Sequence, residues 1–161
     1  MDIYNYALQF EKDGEAFYRS SAASLKDPHL SDILLFLAGE EHRHYELLER
    51  LKKGDAERPS SIFVSDVTNV FSRMKAKDES FIDQKDTVSD ILTKAMTIEE
   101  ESIRYYDKAG REVAEPKAKN LLGALQRQEE AHYSLLSSII EYYETPNLWM
   151  EQAEFHNIKD Y

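Results

Sequence analysis

The segment LAGEEHRHYELLERL, residues 37–51, has the leucine spacing of a helix that packs into a protein core. Glu41 and His44 nevertheless lie on the same face as those leucines, one helical turn apart. The segment LQRQEEAHYSLLSSI, residues 125–139, repeats this arrangement of a glutamate and a histidine. A buried carboxylate is costly without a partner, so these two segments raise the question of what the polar groups bind.

Working outward, four segments carry helical periodicity, and their lengths favour long antiparallel helices packed as a bundle. Pro28 and Pro116 suit the first positions of the second and fourth segments. The sequence therefore predicts an all-α, antiparallel four-helix bundle. The predicted helices cover residues 3–25, 28–53, 88–114 and 116–144.

A polar segment of residues 54–86 separates the second and third predicted helices. It is too long for a tight turn, and it predicts a long crossover connection. Residues 1–145 are thus expected to form one bundle domain. Residues 146–161 follow the helix-breaking Pro146 and are expected to form a tail with a short docked helix.

The two halves of the chain resemble each other. Positions 1–53 and 89–141, compared at an offset of 88 residues without a gap, are identical at 13 places. Random pairing would give roughly 3 or 4 identities from average residue frequencies. The chain is therefore predicted to contain two copies of one helical hairpin.

Every predicted helix places a glutamate in the middle of its core-facing seam, and two helices add a histidine. Isolated buried carboxylates cost several kcal/mol each, on the order of the penalties known for buried ions, and no lysine or arginine lies on these seams. Two divalent cations would balance four carboxylates, and oxygen-rich ligation with two imidazoles suits iron or manganese. The candidate metal ligands are Glu11, Glu41, His44, Glu99, Glu129 and His132.

Other residues near these positions have weaker signals. Tyr18 and Tyr106 lie two turns beyond the lone glutamates, where they either fill the core or hydrogen-bond to the ligands at the site. Gly14 and Ser102 lie one turn beyond the same glutamates, and their small size leaves room for metal or oxidant. The remaining charged neighbours, and one histidine that is close to the candidate ligands in sequence but outside the stripe, are expected at the surface: Glu40, His42, Glu100, Glu101 and Glu130.

Composition excludes several classes of function. The net charge of -11 disfavours nucleic acid and anionic membrane surfaces as partners. The chain has no cysteine, which excludes disulfides and thiolate metal sites. The N-terminal residues lack the pattern of a secretion signal, and no apolar run is long enough to span a bilayer, so a cytoplasmic location is expected.

These residues resemble the ferritin-like superfamily and most closely the rubrerythrin family, over residues 1–145. The resemblance rests on ALQFEKDGEAFY and AMTIEEESIRYY for the helices with one glutamate, and on EEHRHYELL and EEAHYSLL for the helices with Glu-x-x-His. It implies a ferritin-like bundle that holds two non-haem iron ions and reacts with peroxide or dioxygen. The six candidate ligands would then bind iron, with manganese or a mixed pair as the alternative loading.

The sequence departs from rubrerythrins in two respects. Rubrerythrins append a cysteine-rich, rubredoxin-like electron donor, and this chain has no cysteine, so a separate electron-donor protein is expected. Rubrerythrins also tend to carry a carboxylate one turn after the third-helix ligand, where this sequence has Ser102. Peroxide chemistry that relies on that carboxylate would be weakened.

The resulting expectation is an oxidoreductase, of the peroxidase or oxidase type, that acts at a di-iron site and forms a homodimer. Two alternatives remain at this point. One is a ferroxidase that handles iron for storage, and the other is a structural bundle whose metal only stabilises the fold.

Overall fold

The computed structural model describes residues 3–54 and 85–144, which form four α-helices. These are α1 (Ile3–Ser24), α2 (Pro28–Lys52), α3 (Lys85–Glu112) and α4 (Pro116–Glu144). The all-α prediction is confirmed, although α3 begins three residues before the predicted start at position 88. Residues 55–84 of the predicted crossover, and the predicted C-terminal helix, lie outside the described residues.

The starts of α2 and α4 are capped in the same way, at positions related by the repeat. The carboxylate of Asp27 accepts hydrogen bonds from the backbone N–H groups of His29, at 2.8 Å, and Leu30, at 3.3 Å. The carboxylate of Glu115 accepts from Ala118, at 2.8 Å, in the second hairpin. Each cap follows a very short connection, which makes α1 antiparallel to α2 and α3 antiparallel to α4.

The two hairpins pack side by side. The most extensive packing is within the hairpins, and α1 also contacts α3 while α2 contacts α4. Residue 18 of α1 meets residue 99 of α3, and residue 11 meets residue 106, so these helices are antiparallel. Consequently α2 and α3 run in the same direction, which is the topology of a bundle with a long crossover. Among the described helices, none is long and apolar enough to cross a bilayer.

The core consists of two apolar clusters with a layer of buried polar side chains between them. The first cluster contains Tyr18, Ala22, Leu30, Ile33, Leu34, Leu37, Ala38, Val88, Leu92, Ala95, Leu136, Ile139 and Tyr143. The second contains Ala7, Leu47, Leu48, Leu51, Tyr106, Ala109, Ala118, Leu121, Leu122 and Leu125. The six candidate ligands form the intervening layer, here called the polar layer, and the apolar clusters shield it from water at both ends.

Candidate metal centre

The structure brings all six sequence-predicted ligands together in the polar layer. α1 and α3 contribute one glutamate each, and α2 and α4 contribute a glutamate and a histidine one turn apart, because residues three apart share a helix face. None of the six is more than 2% exposed: Glu11 0%, Glu41 2%, His44 0%, Glu99 1%, Glu129 0% and His132 0%. Water therefore cannot solvate these charges, and they must find partners inside the bundle.

The ligand atoms of the polar layer fall into two overlapping groups of four. One group is formed by Glu11, Glu41, His44 and Glu129. The other is formed by Glu41, Glu99, Glu129 and His132. Within each group, one ligand atom from every residue lies within 4.8 Å of the others. Glu41 and Glu129 belong to both groups, so each could contribute to both metal positions.

The Nδ1 atoms of the two histidines face the carboxylates. His44 Nδ1 lies 3.1 Å from Glu129 Oε1 and 3.4 Å from Glu11 Oε2. His132 Nδ1 lies 3.0 Å from Glu129 Oε2 and 3.4 Å from Glu41 Oε1. The two rings are nearly parallel, with centroids 5.6 Å apart and an interplanar angle of 7°. Nδ1 is therefore the nitrogen that each histidine offers to an ion.

Crowding of the carboxylates disturbs their protonation. Burial, and then the negative charge of Glu129, raises the pKa of Glu41 well above its ordinary value. The same two causes raise the pKa of Glu99 to about 8. Glu129 behaves differently: burial opposes its ionisation, but the nearby imidazole of His44 holds its pKa well below the ordinary value. Without metal, the layer keeps protons on some carboxyls at neutral pH.

The histidines take up protons in compensation. Burial alone would lower the pKa of His44, but Glu129 and Glu11 raise it well above the ordinary value. Burial also opposes the charge on His132, and the carboxylates of Glu99 and Glu129 raise its pKa to about 10. Protons thus occupy the positions that cations would take, because four carboxylates cannot all remain negative and unpaired.

Tyr18 and Tyr106 contact the layer from opposite sides. The hydroxyl of Tyr18 donates a hydrogen bond to Glu99 Oε1, and that of Tyr106 donates to Glu11 Oε1. Burial, followed by the charge of the adjacent glutamate, raises the pKa of each tyrosine well above its ordinary value. The hydroxyls therefore stay protonated as donors. The two tyrosines belong to the apolar clusters and also hydrogen-bond to candidate ligands. Each therefore fills the core and contacts the site, the two roles that the sequence left as alternatives.

Small residues leave space beside the layer. A Cβ atom added at Gly14 would lie 3.1 Å from Glu41 Oε2, closer than ordinary van der Waals contact. Ser102 is 1% exposed, and its Oγ atom has no hydrogen-bond partner. Gly14 therefore allows Glu41 to approach α1, and Ser102 presents an unsatisfied hydroxyl beside the layer, next to Glu99 on α3.

A second set of polar side chains lies behind His44, and the sequence reasoning missed it. His44 Nε2 lies 2.7 Å from Gln128 Oε1, to which Arg43 also donates at 3.2 Å. Arg43 donates to Glu40 Oε2 at 2.9 Å as well. The prediction that Glu40 is a surface charge is wrong, since its side chain is only 12% exposed. It turns inward because Arg43 and the histidines lie beside it, whereas His42 is 52% exposed as expected.

The residues of the polar layer fit two divalent metal ions. Four carboxylates and two imidazoles are the donors that iron and manganese favour. The glycine at position 14 accommodates the Glu41 carboxylate. Each of the two groups offers ligand atoms from four residues to one ion. A polar layer of this kind at the centre of a four-helix bundle defines the ferritin-like carboxylate proteins as a class.

Comparison with known proteins narrows this class. The rubrerythrin family model matches residues 2–140 of the chain. The chain therefore belongs to the rubrerythrin family. A solved structure of a hypothetical protein from Pyrococcus furiosus is similar in fold, with a TM-score of 0.68, 23% sequence identity and coverage of 89% of each chain. No curated protein matches the sequence significantly.

Proposed function

We propose that this protein is a di-iron oxidoreductase that reduces peroxide or dioxygen with electrons from a separate donor protein. The two overlapping ligand groups carry the proposal, since they share Glu41 and Glu129. Two ions held by groups that share residues would lie close enough to react together with one small oxidant. Membership of the rubrerythrin family supports iron as the metal.

The ligand roles follow from the two groups. Glu11 and His44 would both bind the first ion, and Glu99 and His132 would both bind the second. Two bound iron ions would supply the two electrons that convert one peroxide to two waters. The protein's own contribution is to hold the six donors fixed in a water-excluded layer, where their electrostatic effect is largest.

The chain also offers groups that can handle protons and oxygen atoms. The Tyr18 and Tyr106 hydroxyls fix the orientation of Glu99 and Glu11, and they are the protonated groups nearest those carboxylates. Ser102 Oγ has no hydrogen-bond partner, so it can donate to an oxygen atom of the oxidant. With no carboxylate at position 102, we expect slow turnover of peroxide.

The test is an anaerobic titration with ferrous iron, followed by one equivalent of hydrogen peroxide. We expect about two iron ions per chain, by analogy with the two-metal carboxylate bundles, and oxidation of both by a single peroxide. Glu129→Ala should abolish this stoichiometry, because Glu129 belongs to both groups. Glu130→Ala is the matched control, since that neighbour is exposed.

Three outcomes would replace the proposal. Binding of less than one ion per chain would exclude a di-iron site. A bound ion that keeps its redox state when peroxide is added would indicate a structural metal. A large multi-subunit shell, measured by light scattering, would indicate iron storage, whereas we propose a homodimer.

A further inference from the structure

Gln128 is a half-buried neighbour of the polar layer and is not one of its candidate ligands. It precedes Glu129 on α4 and reaches across to α2, where its Oε1 atom lies 2.7 Å from His44 Nε2. The same oxygen lies 3.2 Å from Arg43. His44 thus has its Nδ1 atom toward the carboxylates and its Nε2 atom against this amide.

Arg43 identifies the amide atom that faces His44. A guanidinium can only donate hydrogen bonds, so the atom that it contacts must be an acceptor, which is the oxygen of Gln128. An amide oxygen cannot donate a hydrogen bond. It must therefore accept from His44 Nε2 as it does from Arg43, which requires a proton on Nε2. When His44 is neutral, its lone pair is then on Nδ1, which faces Glu129 and Glu11.

The residues that correspond to Arg43 and Gln128 at the repeat offset carry different side chains. At the repeat offset of 88, Arg43 corresponds to Ala131, whose methyl group cannot donate a hydrogen bond. Gln128 corresponds to Glu40, a carboxylate that is paired with Arg43 at 2.9 Å. The inner six ligands are thus repeated between the hairpins, but the groups behind the two histidines differ.

We propose that Gln128, held by Arg43, is a positioning residue that fixes the tautomer of His44 and so strengthens one of the two metal positions. That position is the group formed by Glu11, Glu41, His44 and Glu129. The inference rests on the proposed metal centre. Hydrogen bonds to the second nitrogen of a metal-binding histidine orient the ring and make it a better ligand.

The test is an anaerobic titration of the full chain with Co(II), resolving the two dissociation constants, on three variants. Gln128→Leu removes the acceptor at similar volume, and it should raise one dissociation constant by about 10- to 100-fold while the other stays unchanged. Gln128→Glu keeps an oxygen at the same place and should restore the lost affinity. Gln126→Leu is the matched control, because Gln126 binds Glu130 at the surface of the same helix and should change neither constant.

A second measurement follows the proton itself. In the Zn(II)-loaded protein, the His44 Nε2–H resonance should be slow to exchange in the wild type and in Gln128→Glu, and fast in Gln128→Leu. Equal weakening of both positions, no weakening of either, or failure of the glutamate variant to restore the resonance would overturn the inference. Wild-type protein that binds fewer than two Co(II) ions would overturn the proposed metal centre itself, and this inference with it.

Discussion

The hydroxyl of Tyr106 donates a hydrogen bond to the carboxylate of Glu11, a residue of the other hairpin. Tyr18 makes the corresponding contact with Glu99, so each tyrosine donates a hydrogen bond to a glutamate of the other hairpin. Each tyrosine therefore orients a candidate ligand that belongs to the other hairpin. These two hydrogen bonds join the hairpins at the height of the polar layer.

Tyr106→Phe should weaken metal binding, because the ring volume stays and only the donor to Glu11 is lost. We expect a loss of about 10-fold or more in affinity for ferrous iron, in the range found for groups that orient metal ligands. The measurement is an anaerobic binding isotherm. Tyr105→Phe is the control, since its hydroxyl donates to the backbone carbonyl of Ile3. Equal affinities for the two variants would contradict the role given to Tyr106.

Removal of metal should lower the melting temperature at neutral pH. Ions that bind the folded state alone stabilise it by mass action, by about 2.7 kcal/mol when free metal is 100 times the dissociation constant. The difference should shrink in acid, where protons compete for the carboxylates of the polar layer. Thermal melts of loaded and metal-free protein measure it. Coincident curves at pH 7 would show that the carboxylates need no cation.

The metal-free protein should lose stability as pH rises from about 5 to about 9. Glu99 has an ordinary pKa of 4.5 that folding raises to about 8, so folding favours its protonated form, and this stabilisation disappears as pH passes through that interval. His132 acts in the same direction, because its pKa rises from 6.5 to about 10. The lowered pKa of Glu129 acts only below 4.5.

Thermal melts of the metal-free protein across this pH range provide the measurement. Glu99→Gln is the informative variant, since an amide is neutral throughout and should make the dependence less steep. A melting temperature that rises between pH 5 and pH 9 would contradict the protonation described for the polar layer.

Gly14→Ala should reduce metal affinity without destabilising the metal-free fold. The new Cβ atom would lie 3.1 Å from Glu41 Oε2, and a carboxylate that holds an ion cannot move away as freely as one without metal. Helix propensity favours alanine over glycine by about 1 kcal/mol, which offsets the crowding in the metal-free state. Gly39→Ala is the control, because nothing lies within 4 Å of its added Cβ. Unchanged metal affinity in Gly14→Ala would show that the space is not needed.

Ser102→Glu should raise the rate of peroxide reduction. The side chain would extend from α3 one turn after Glu99, in the buried place where the serine hydroxyl has no partner. A carboxylate there can bind an ion or transfer protons. General acid–base groups typically raise reaction rates roughly 100-fold or more, and we expect an increase of about 10-fold in a site that is not optimised for the new side chain. The measurement is kcat/KM for hydrogen peroxide, with Ser102→Ala as the control. A rate no higher than that of the alanine variant would contradict the prediction.

The fold and the polar layer were predictable because both depend on spacing along single helices. Glu41 and His44 share a face with the leucines around them, and the repeat offset of 88 identifies their counterparts Glu129 and His132. All four are buried where that face meets the other helices. The assignment of the six residues as metal ligands stays a prediction, since its test is metal binding.

The groups behind His44 could not be predicted in the same way. Gln128 and Arg43 do not lie on the predicted seams, and their contact depends on how closely α2 and α4 approach. A single sequence does not state that distance. The sequence did contain one signal for these polar residues. Glu40 and Gln128 correspond at the repeat offset, and each immediately precedes a candidate ligand. The contacts of Tyr18 with Glu99 and of Tyr106 with Glu11 could not be predicted either, because they depend on the relative direction of α1 and α3.

Each of the two groups of candidate ligands is divided between the two hairpins. Glu11, Glu41 and His44 come from the first hairpin, but their fourth partner, Glu129, comes from the second. The other group is divided the same way, with Glu41 as the one residue from the first hairpin. A nascent chain that has made only its first hairpin has no complete group. With the proposed metal centre, tight capture of an ion would require that both hairpins have docked, so a partly folded chain would not hold a reactive ion.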